Sequence, residues 1–289
     1  MRGWLVVNGF LQTNKFLELY EYLVQAANAE GVELTLKTSA ELCLPLDEPI
    51  GEMLDFVIFW DKDYPLAKHL EGAGMRLFNN AEGIRLCDDK ILTALALEGK
   101  AAMPKTIIAP KTFDGVGYTD LSFLRIAEEK LGFPMVVKEA FGSFGKQVYL
   151  AENAVQLRAI VDSLGAKSFL MQEFIASSRG RDLRINVVGG KVIGAMLREN
   201  DGDFRSNISG GGTGKAYAPT KEQEEIALTA CRALGLDFAG VDVLFGKDGE
   251  PLVCEVNSNP HFKSSLEYAG VDVAREILRY IKGELCAVG

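Results

Sequence analysis

Apolar residues in the first third of the chain follow two alternating spacings. Residues 4–7 and 56–60 are short, unbroken apolar runs, which predict strands buried on both faces of a sheet. Between them, apolar positions over residues 16–27 recur three and four apart and predict a helix that ends at Gly31. Weaker strand candidates are residues 32–36 and 75–78. Because strands alternate with helices here, we predict a small parallel α/β domain.

The middle of the chain has shorter elements of mixed type. A helix is predicted over residues 121–131, and a second one starts at Asn153, where Gln156 completes a capping box. The strand candidates are residues 135–138, 148–150 and 168–174. The loop Gly142-Ser143-Phe144-Gly145 joins the first two of these strands. This mixture predicts a compact α+β unit over about residues 105–175.

The last part of the chain is richer in strands. Its strand candidates are residues 183–188, 192–197, 241–245 and 252–257. A helix over residues 221–234 is predicted from its apolar spacing and from the capping box of Thr220 and Gln223. Another helix is predicted over about residues 271–282. The glycine-rich stretch at residues 209–214 is short, so we expect a loop within a domain.

The composition is that of an ordinary globular protein. Its 289 residues are 48% hydrophobic and 25% charged. The 31 basic and 40 acidic side chains give a net charge of −9, which disfavours nucleic acid and anionic membranes as partners. A phosphate-binding site in this chain must therefore rely on a metal ion and a few placed lysines or arginines.

Cysteine and histidine usage narrows the chemistry further. The five cysteines are scattered, which predicts reduced thiols in the cytoplasm and argues against a zinc site. With two histidines, His69 and His261, a histidine-based metal cluster is nearly excluded. The first apolar stretch is too short for a signal peptide, and no stretch approaches the ~20 apolar residues of a membrane span. We therefore expect a cytoplasmic protein that does not enter a membrane.

Two acidic residues are expected to face each other in a hairpin near the C-terminus. If Phe245 pairs with Leu252 across the turn between them, Asp242 lies directly opposite Glu255. Two facing carboxylates repel each other, and a hard cation is the simplest compensation. Alternatively, the two carboxylates are exposed sheet residues or pair with nearby arginines, and a register slip of one residue would remove the cation argument.

The alternation of side chains extends this candidate metal site. Asn257 is expected on the same face as Glu255, with Cys254 and Val256 on the opposite face. Oxygen atoms of Asp242, Glu255 and Asn257 suit Mg²⁺ or Mn²⁺. Such ions keep coordination positions for phosphate oxygens, so the hairpin predicts a metal and phosphate site.

Basic residues elsewhere offer further phosphate contacts. Lys138 ends a strand beside the Gly142–Gly145 loop, whose backbone N–H groups are available to an anion. Neither Gly145-Lys146 nor Gly214-Lys215 is a Walker motif, because Ser or Thr does not follow the lysine. The arginine candidates for a phosphate or carboxylate are Arg184, Arg198 and Arg205. Taken singly, each arginine is better explained as a solvated or ion-paired surface residue.

In chain order, these residues resemble the ATP-grasp superfamily, and within it the RimK-type ligases that add glutamate or a similar amino acid to a carboxylate. The sharpest matches are residues 202–207, residues 239–242 and Glu255-Val256-Asn257, within a resemblance over roughly residues 88–282. It implies an N-terminal pre-ATP-grasp domain over residues 1–87. A two-lobed ATP-grasp domain would follow over 88–289, with a central lobe at about 105–175 and a C-terminal lobe at about 176–289.

The resemblance also implies roles for individual residues. The ATP-binding positions would be Lys90, Lys138, Gly142, Ser143, Gly145, Gln172, Glu173, Phe174, Ile175, Asp182, Arg205, Ser206 and Asn207. Lys90 and Lys138 would hold phosphates, Glu173 and Phe174 the adenine edge, and Asp182 the ribose side. Asp242, Glu255 and Asn257 would bind Mg²⁺ or Mn²⁺, and Arg198 and Arg205 are the candidates for stabilising an acyl phosphate.

The implied activity is ATP-dependent amide formation between an amino acid and a carboxylate-bearing acceptor. Other ATP-grasp chemistry, such as dipeptide or carrier-protein ligation, and a non-catalytic nucleotide-binding regulator stay open as alternatives. Two departures from the family pattern are Gln147, where a third loop glycine is common, and residues 258–263, which are expected to shape the acceptor pocket. His261 either orients an acceptor or is a structural histidine. Family members often self-associate, so a homo-oligomer is compatible with the resemblance.

Overall fold

The computed structural model describes residues 1–11, 13–43, 45–46, 50–51, 54–143 and 145–288. Phe144 of the predicted glycine loop lies outside these residues. Three sheets follow one another along the described chain, the first parallel and the other two antiparallel. The predicted combination of α/β and α+β structure is therefore confirmed. No helix in the described part of the chain is both long and apolar enough to cross a membrane.

The first sheet is parallel, as its apolar runs predict. Its strands are β1 (Arg2–Val7), β2 (Glu33–Thr38), β3 (Phe56–Trp60) and β4 (Leu77–Phe78), and its helices are α1 (Asn14–Ala29) and α2 (Tyr64–Gly72). The strand order is β2-β1-β3-β4. All five side chains of β3 are buried, because helices and neighbouring elements cover both faces of the sheet. The order places β1 and β3 at the centre, and the chain leaves β1 toward β2 on one side and leaves β3 toward β4 on the other.

The second sheet is antiparallel, and four helices lie before or between its strands along the chain. The elements are α3 (Ala81–Asp88), α4 (Lys90–Leu97), β5 (Thr106–Ile108), α5 (Ser122–Leu131), β6 (Met135–Glu139), β7 (Val148–Ala151), α6 (Ala154–Leu164) and β8 (Phe169–Glu173). The strand order is β5-β8-β6-β7. Asn153 caps α6 by accepting the Gln156 N–H at 3.0 Å. The reciprocal bond is displaced by one residue, since Gln156 accepts from Glu152 N, so the predicted capping box is only half formed.

The third sheet is the largest and carries the hairpin. Its elements are β9 (Arg181–Val188), β10 (Lys191–Glu199), β11 (Thr213–Tyr217), α7 (Lys221–Leu234), β12 (Phe238–Phe245), β13 (Pro251–Asn257), α8 (Lys263–Ala269) and α9 (Val273–Val288). The order β11-β10-β9-β12-β13 puts β9 at the centre, between β10 and β12. Helix α7 packs on this sheet through a continuous apolar cluster. The predicted domain boundary between residues 87 and 88 falls at the end of α3 and stays a prediction.

The first and third sheets share a core. The Trp60 ring stacks on Phe238 with centroids 5.6 Å apart, and Phe262 meets the same indole edge-on at 5.7 Å. The buried Asn79 amide donates to the carbonyls of Phe238 and Ser258, each at 2.9 Å. These contacts fix the first sheet against the third, so the end of β3 forms one wall of a cavity.

The capping box at the start of α7 is complete, as predicted. Thr220 Oγ1 accepts from Gln223 N at 3.3 Å, and Gln223 Oε1 accepts from Thr220 N at 2.9 Å. We expect Thr220→Ala to lower the free energy of unfolding by about 1 kcal/mol, because it leaves a helix N–H without its acceptor. Urea denaturation measures this change. Thr229→Ala on the same helix is the control, because Thr229 bonds only exposed charged side chains. Its free energy of unfolding should stay within about 0.5 kcal/mol of the parent value.

Candidate nucleotide and metal site

The hairpin brings its two carboxylates opposite each other through an unexpected register. Phe245 pairs with Pro251 and not with Leu252, so the predicted pairing at the turn is wrong by one residue. An irregularity next to Asp242 then adds one residue to β13, which makes Asp242 face Glu255 as predicted. A β-bulge of this kind places two residues of one strand against one of its partner. The two carboxylates thus face each other because the pairing at the turn is shifted by one residue and the bulge cancels that shift before Asp242.

The bulge also turns Cys254 toward the cleft. Cys254 Sγ lies 3.6 Å from Lys138 Nζ, whereas Val256 is part of the buried core under α7. The prediction that Cys254 and Val256 share a face is therefore wrong, because the extra residue interrupts the alternation. Burial raises the pKa of the Cys254 thiol, against the opposing effect of the Lys138 charge. Cys254 therefore lines the cleft as a neutral thiol, a position that the simple alternation of side chains along a strand does not predict.

Two arginines hold Asp242. Arg184 donates to both carboxylate oxygens, one of these bonds being 2.9 Å, and Arg198 Nη2 lies 3.0 Å from Oδ2. Burial raises the pKa of Asp242, but the charges and hydrogen bonds of Arg184 and Arg198 outweigh it and hold the pKa below its ordinary value. Asp242 therefore does pair with nearby arginines, which is the alternative to a bound cation that its position in the hairpin left open. The carboxylate stays ionised and remains at the cleft wall.

Asp182 and Arg198 form a second buried pair next to this carboxylate. Arg198 Nε donates to Asp182 Oδ1 at 2.7 Å, and Nη2 donates to Oδ2. The exposed fractions of the two residues are 5% and 6%. Burial lowers the pKa of Arg198, but the charges of Asp182 and Asp242 raise it by more than burial lowers it. The pKa of Arg198 therefore lies above its ordinary value. One guanidinium thus compensates two buried carboxylates.

Two lysines approach the hairpin from the other side of the cleft. Lys90, the first residue of α4, lies 3.6 Å from Glu255 Oε1 and donates to the carbonyl of Gly142 at 3.0 Å. Lys138, near the end of β6, donates to the Cys254 carbonyl at 3.4 Å. Asn257 donates through its amide nitrogen to Gly240 at 3.4 Å, a bond that does not use its carbonyl oxygen. Positive charge therefore faces the hairpin across the cleft.

The cleft between the second and third sheets gathers most of the predicted nucleotide residues. It is lined by Lys90, Lys138, Gly145, Gln172, Glu173, Phe174, Ile175, Asp182, Arg198, Arg205, Ser206, Asn207, Asp242 and Glu255. The side chain of Glu173 accepts the Lys105 N–H at 2.7 Å, which fixes the end of β8. Gly142, Ser143 and Asn257 are not among these lining residues; Ser143 and Asn257 line a neighbouring cavity instead.

The glycine loop contacts the segment after β10. Arg205 Nη1 donates to the Gly145 carbonyl, and Asp203 holds the same guanidinium at 2.7 Å. Gly142 has a φ of +143°, and a side chain there would collide with Gln147. Gln147 Oε1 accepts the Ser143 N–H at 3.2 Å, so the residue that departs from the family pattern closes the base of the loop. Arg205 therefore touches the loop that is expected to cover ATP.

A second cavity of about 690 Å³ lies between the carboxyl end of the first sheet and the third sheet. It shares Arg198, Asn207, Asp242 and Glu255 with the cleft. His261 lines it, and burial, followed by the charges of Lys15, Arg184 and Lys263, lowers the pKa of this histidine to about 4. Its buried Nε2 has no hydrogen-bond partner among the described residues. The hairpin carboxylates thus stand where the two spaces meet.

The donor set fits a hard divalent cation that shares its shell with phosphate. Within the described residues, no cluster of three or more His, Cys, Asp or Glu side chains could hold a metal by itself. The hairpin supplies two carboxylates and one amide oxygen, from Asp242, Glu255 and Asn257. Mg²⁺ is commonly held by one or two carboxylates, with substrate phosphates and water completing its octahedron. The residues present therefore fit Mg²⁺ bound together with a nucleotide.

A cleft between two antiparallel sheets, with lysines on one wall and facing carboxylates on the other, is suited to binding a nucleotide together with a metal ion. A family model described as the RimK-like ATP-grasp domain matches residues 88–281. The chain belongs to the RimK-like ATP-grasp family, and it is an ATP-dependent ligase. The family predicted from the motifs is thereby confirmed.

Relatives of the chain include enzymes named for glutamate. N-acetylaspartylglutamate synthase A from Homo sapiens is 36% identical over 222 residues, which are 76% of this chain and 56% of that protein. The chain thus spans little more than half of the human relative. The probable alpha-L-glutamate ligase of Stenotrophomonas maltophilia (strain K279a) is 37% identical over 219 residues, or 74% of this chain and 72% of that one.

A solved structure shares the fold over almost the whole chain. The ATP-grasp ligase PsnB, complexed with a phosphomimetic variant of its minimal precursor, Mg and ADP, has a TM-score of 0.72 and 18% sequence identity to this chain. The likeness covers 98% of each chain. At this identity it establishes the fold alone.

Proposed function

We propose that this chain is a carboxylate–amine ligase that joins L-glutamate or another amino acid to a carboxylate through an acyl phosphate. The observation that carries the proposal is the position of Asp242 and Glu255, which line both the cleft and the second cavity. A phosphate donor in the cleft and an acceptor in the cavity would meet at these residues. Such a shared boundary is what phosphoryl transfer from one bound molecule to another requires.

ATP would occupy the cleft between the second and third sheets. Lys90 and Lys138 would hold phosphate oxygens as point charges, together with the N–H groups of Gly142, Ser143 and Gly145. The adenine would lie against the end of β8 and the residues after it, Gln172, Glu173, Phe174 and Ile175. Asp182 would lie on the ribose side, and Arg205, Ser206 and Asn207 would face the phosphates; all four residues line the cleft.

Mg²⁺, or Mn²⁺ in its place, would be held by Asp242, Glu255 and Asn257. When bound, the ion would neutralise negative charge on the phosphoryl group that is transferred. The solved relative that contains both Mg and ADP supports this choice of partner for the nucleotide. Lys90 lies 3.6 Å from Glu255, so the chain adds a fixed positive charge beside the same carboxylate.

The chemistry would proceed in two displacements. A carboxylate oxygen of the acceptor attacks the terminal phosphorus of ATP, and ADP leaves. The amine nitrogen then attacks the acyl carbon, the bond from carbon to the phosphate oxygen breaks, and the nitrogen loses a proton. Arg198 and Arg205 are proposed to stabilise the charge that develops on the transferred group. Both line the cleft, and Arg198 also lines the second cavity.

An acidic substrate suits the second cavity. Lys15, Arg184 and Lys263 line this space, and their charges act on the His261 ring. These cations offer contacts to substrate carboxylates, although each also has partners within the protein and acidic residues such as Glu18 and Glu267 line the same cavity. The relatives named for glutamate support the same class of substrate. We therefore assign a dicarboxylic amino acid, or a carboxylate-rich acceptor, to this cavity.

Replacing Lys138 with methionine should weaken ATP binding by about 10- to 100-fold, the loss of one charge-assisted contact. Lys138 is 8% exposed and its stem is packed, so methionine preserves most of the volume. Isothermal titration with a non-hydrolysable ATP analogue and Mg²⁺ measures the dissociation constant. Lys130→Met, at an exposed position on α5, is the matched control and should bind as the parent does. Unchanged affinity in Lys138→Met contradicts the phosphate assignment.

The proposed activity is tested by substrate-dependent ADP release. The purified chain is supplied with ATP, Mg²⁺, the common amino acids and a panel of acceptors that includes N-acetyl-L-aspartate and glutamyl peptides. We expect ADP and phosphate only when an amino acid and an acceptor are both present, with the amide product visible by mass spectrometry. Dipeptides of a single amino acid would favour dipeptide ligation, and no turnover with any pair would favour a nucleotide-binding regulator.

A further inference from the structure

Asp61 has a buried carboxylate oxygen that nothing described in the chain satisfies. The residue follows β3 directly and is 6% exposed. Its Oδ1 accepts from Lys62 N at 2.7 Å and from Asn8 Nδ2 at 3.2 Å. Its Oδ2 has no hydrogen-bond partner among the described residues. A buried carboxylate oxygen without a partner is costly, so it points to a ligand that completes it.

The position of Asp61 in the first sheet is where open α/β sheets bind ligands. In the order β2-β1-β3-β4, connections leave the sheet in opposite directions on the two sides of the β1–β3 pair. Asn8 follows β1 and Asp61 follows β3, so both stand at the carboxyl ends of these two parallel strands. A crevice forms at such a switch point, and ligands bind there. Both residues line the 690 Å³ cavity.

The charge around Asp61 indicates that the missing partner is a cation. Burial, together with the charge of Asp63, raises the pKa of Asp61, while hydrogen bonds from Lys62, Asn8 and Ser39 oppose this. The neighbouring ammonium of Lys62 is directed elsewhere, to Asp88 at 2.8 Å and to Ser143 Oγ at 3.2 Å. An ionised carboxylate buried without a counter-charge is unfavourable, and a cationic group of the ligand would supply that charge.

The cavity that Asp61 lines also contains groups suited to the carboxylates of an amino acid. The neutral His261 ring lines the same space, and the charges of Lys15, Arg184 and Lys263 act on it. The next residue, Lys62, reaches Ser143 of the glycine loop with its ammonium, so the loop adjoins the side of the cavity where β3 ends. An amino group bound at Asp61 would therefore lie on the side of the cavity that adjoins the glycine loop, and it would have to lose a proton before its nitrogen could attack an acyl phosphate.

We propose that Asp61, held in place by Asn8, binds the amino group of the amino-acid substrate and selects for it. This inference rests on the proposed ligase function and names a recognition residue for its amine substrate. The contact is between the substrate ammonium and Asp61 Oδ2. The substrate carboxylates extend toward His261 and its neighbouring cations.

The test compares L-glutamate with L-2-hydroxyglutarate, in which a hydroxyl replaces the ammonium. In Asp61→Asn, the KM for L-glutamate should rise about 10- to 100-fold, while the KM for ATP stays unchanged. The inhibition constant of L-2-hydroxyglutarate should change by less than about twofold, because this ligand carries no cation for Asp61 to bind. Steady-state ADP release measures all three constants.

Asp63→Asn is the matched control. It makes the same charge change two residues away, and asparagine preserves the helix cap that Asp63 gives to Leu66 N at 3.0 Å. If Asp61→Asn does not unfold cooperatively, the smaller neutral variant Asp61→Ser takes its place with the same expectations. The control should leave the KM for L-glutamate unchanged.

Two outcomes overturn the assignment of Asp61 alone: an unchanged KM for L-glutamate, or an equal loss for L-glutamate, L-2-hydroxyglutarate and ATP. The second outcome would show that Asp61 maintains the shape of the cavity and does not bind the substrate ammonium. If the unaltered chain shows no amino-acid-stimulated ADP release, the proposed function falls, and the assignment falls with it. The two failures are therefore told apart by the unaltered chain.

Discussion

Glu255→Ala should reduce Mg²⁺-dependent ADP formation by about 10³-fold or more, the equivalent of roughly 4 kcal/mol of transition-state stabilisation. Glu255 faces Asp242 across the hairpin and lines both the cleft and the second cavity. Its removal takes away one of two carboxylates for the metal and leaves Lys90 without the partner 3.6 Å away. A coupled assay for ADP measures the rate at saturating ATP and substrate.

The fold should survive this change, because the Glu255 side chain is 34% exposed and lies outside the packed cores. Urea denaturation should give a free energy of unfolding within about 1 kcal/mol of the parent. Glu250→Ala is the matched control, an exposed acid in the turn of the same hairpin, and should turn over normally. Normal turnover in Glu255→Ala would falsify the metal assignment.

Arg198→Met should lower the free energy of unfolding by about 3–5 kcal/mol. The substitution leaves Asp182 buried and without its counter-charge, and leaves Asp242 with Arg184 alone. Chemical denaturation followed by circular dichroism measures the loss. Arg232→Met, which breaks an exposed pair with Glu225, should lose no more than about 1 kcal/mol.

A double variant separates the structural role of Arg198 from its proposed catalytic role. Replacing both members of a buried ion pair with apolar groups of similar size is often close to neutral. Arg198→Met combined with Asp182→Leu should therefore recover most of the stability lost in the single variant. Activity should stay low in the double variant, because Asp182 is proposed to contact the ribose and Arg198 to stabilise the transferred phosphoryl group; Asp182→Leu alone, at saturating ATP, measures the share that belongs to Asp182. Full activity in a stable double variant would show that Arg198 serves only to hold the buried carboxylates.

Local sequence patterns predict the helices and strands well where a segment follows a single pattern, such as an apolar run or helical spacing. The apolar run at Phe56–Trp60 forms a fully buried strand, and the apolar spacing over Lys221–Leu234 forms a helix with its capping box. At Asn153 the helix also starts as expected, but the backbone geometry moves the reciprocal bond to Glu152. Short-range sequence signals therefore predict the residue at which a helix begins. They predict less well which backbone N–H each capping side chain binds.

The hairpin shows why the site is harder to predict than the fold. Strict alternation places Asp242 opposite Glu255 only if Phe245 pairs with Leu252, and that pairing does not occur. A bulge restores the facing carboxylates and turns Cys254 into the cleft, and alternation contains no signal for an added residue. The two arginines on Asp242 come from β9, which pairs with β12, and from β10, one strand farther away, so their approach to Asp242 depends on sheet order.

Asp61 was not predicted as a site residue, although a signal for it exists. It follows a fully buried apolar strand, and Asn8 follows another, so both are polar residues at the carboxyl ends of predicted parallel strands. Ligands bind at that edge of such sheets, where the strand order reverses. Strand order is a tertiary property, however, and the neighbours of β1 become known only from the folded chain.

The most direct test of the central claim follows one oxygen atom. The acceptor that supports turnover is prepared with ¹⁸O in its carboxylate and incubated with ATP, Mg²⁺ and the amino acid. If an acyl phosphate forms and the amine displaces phosphate, each turnover transfers one ¹⁸O to the released phosphate, which mass spectrometry detects. Release of unlabelled phosphate, or of AMP and pyrophosphate in place of ADP, would contradict the account.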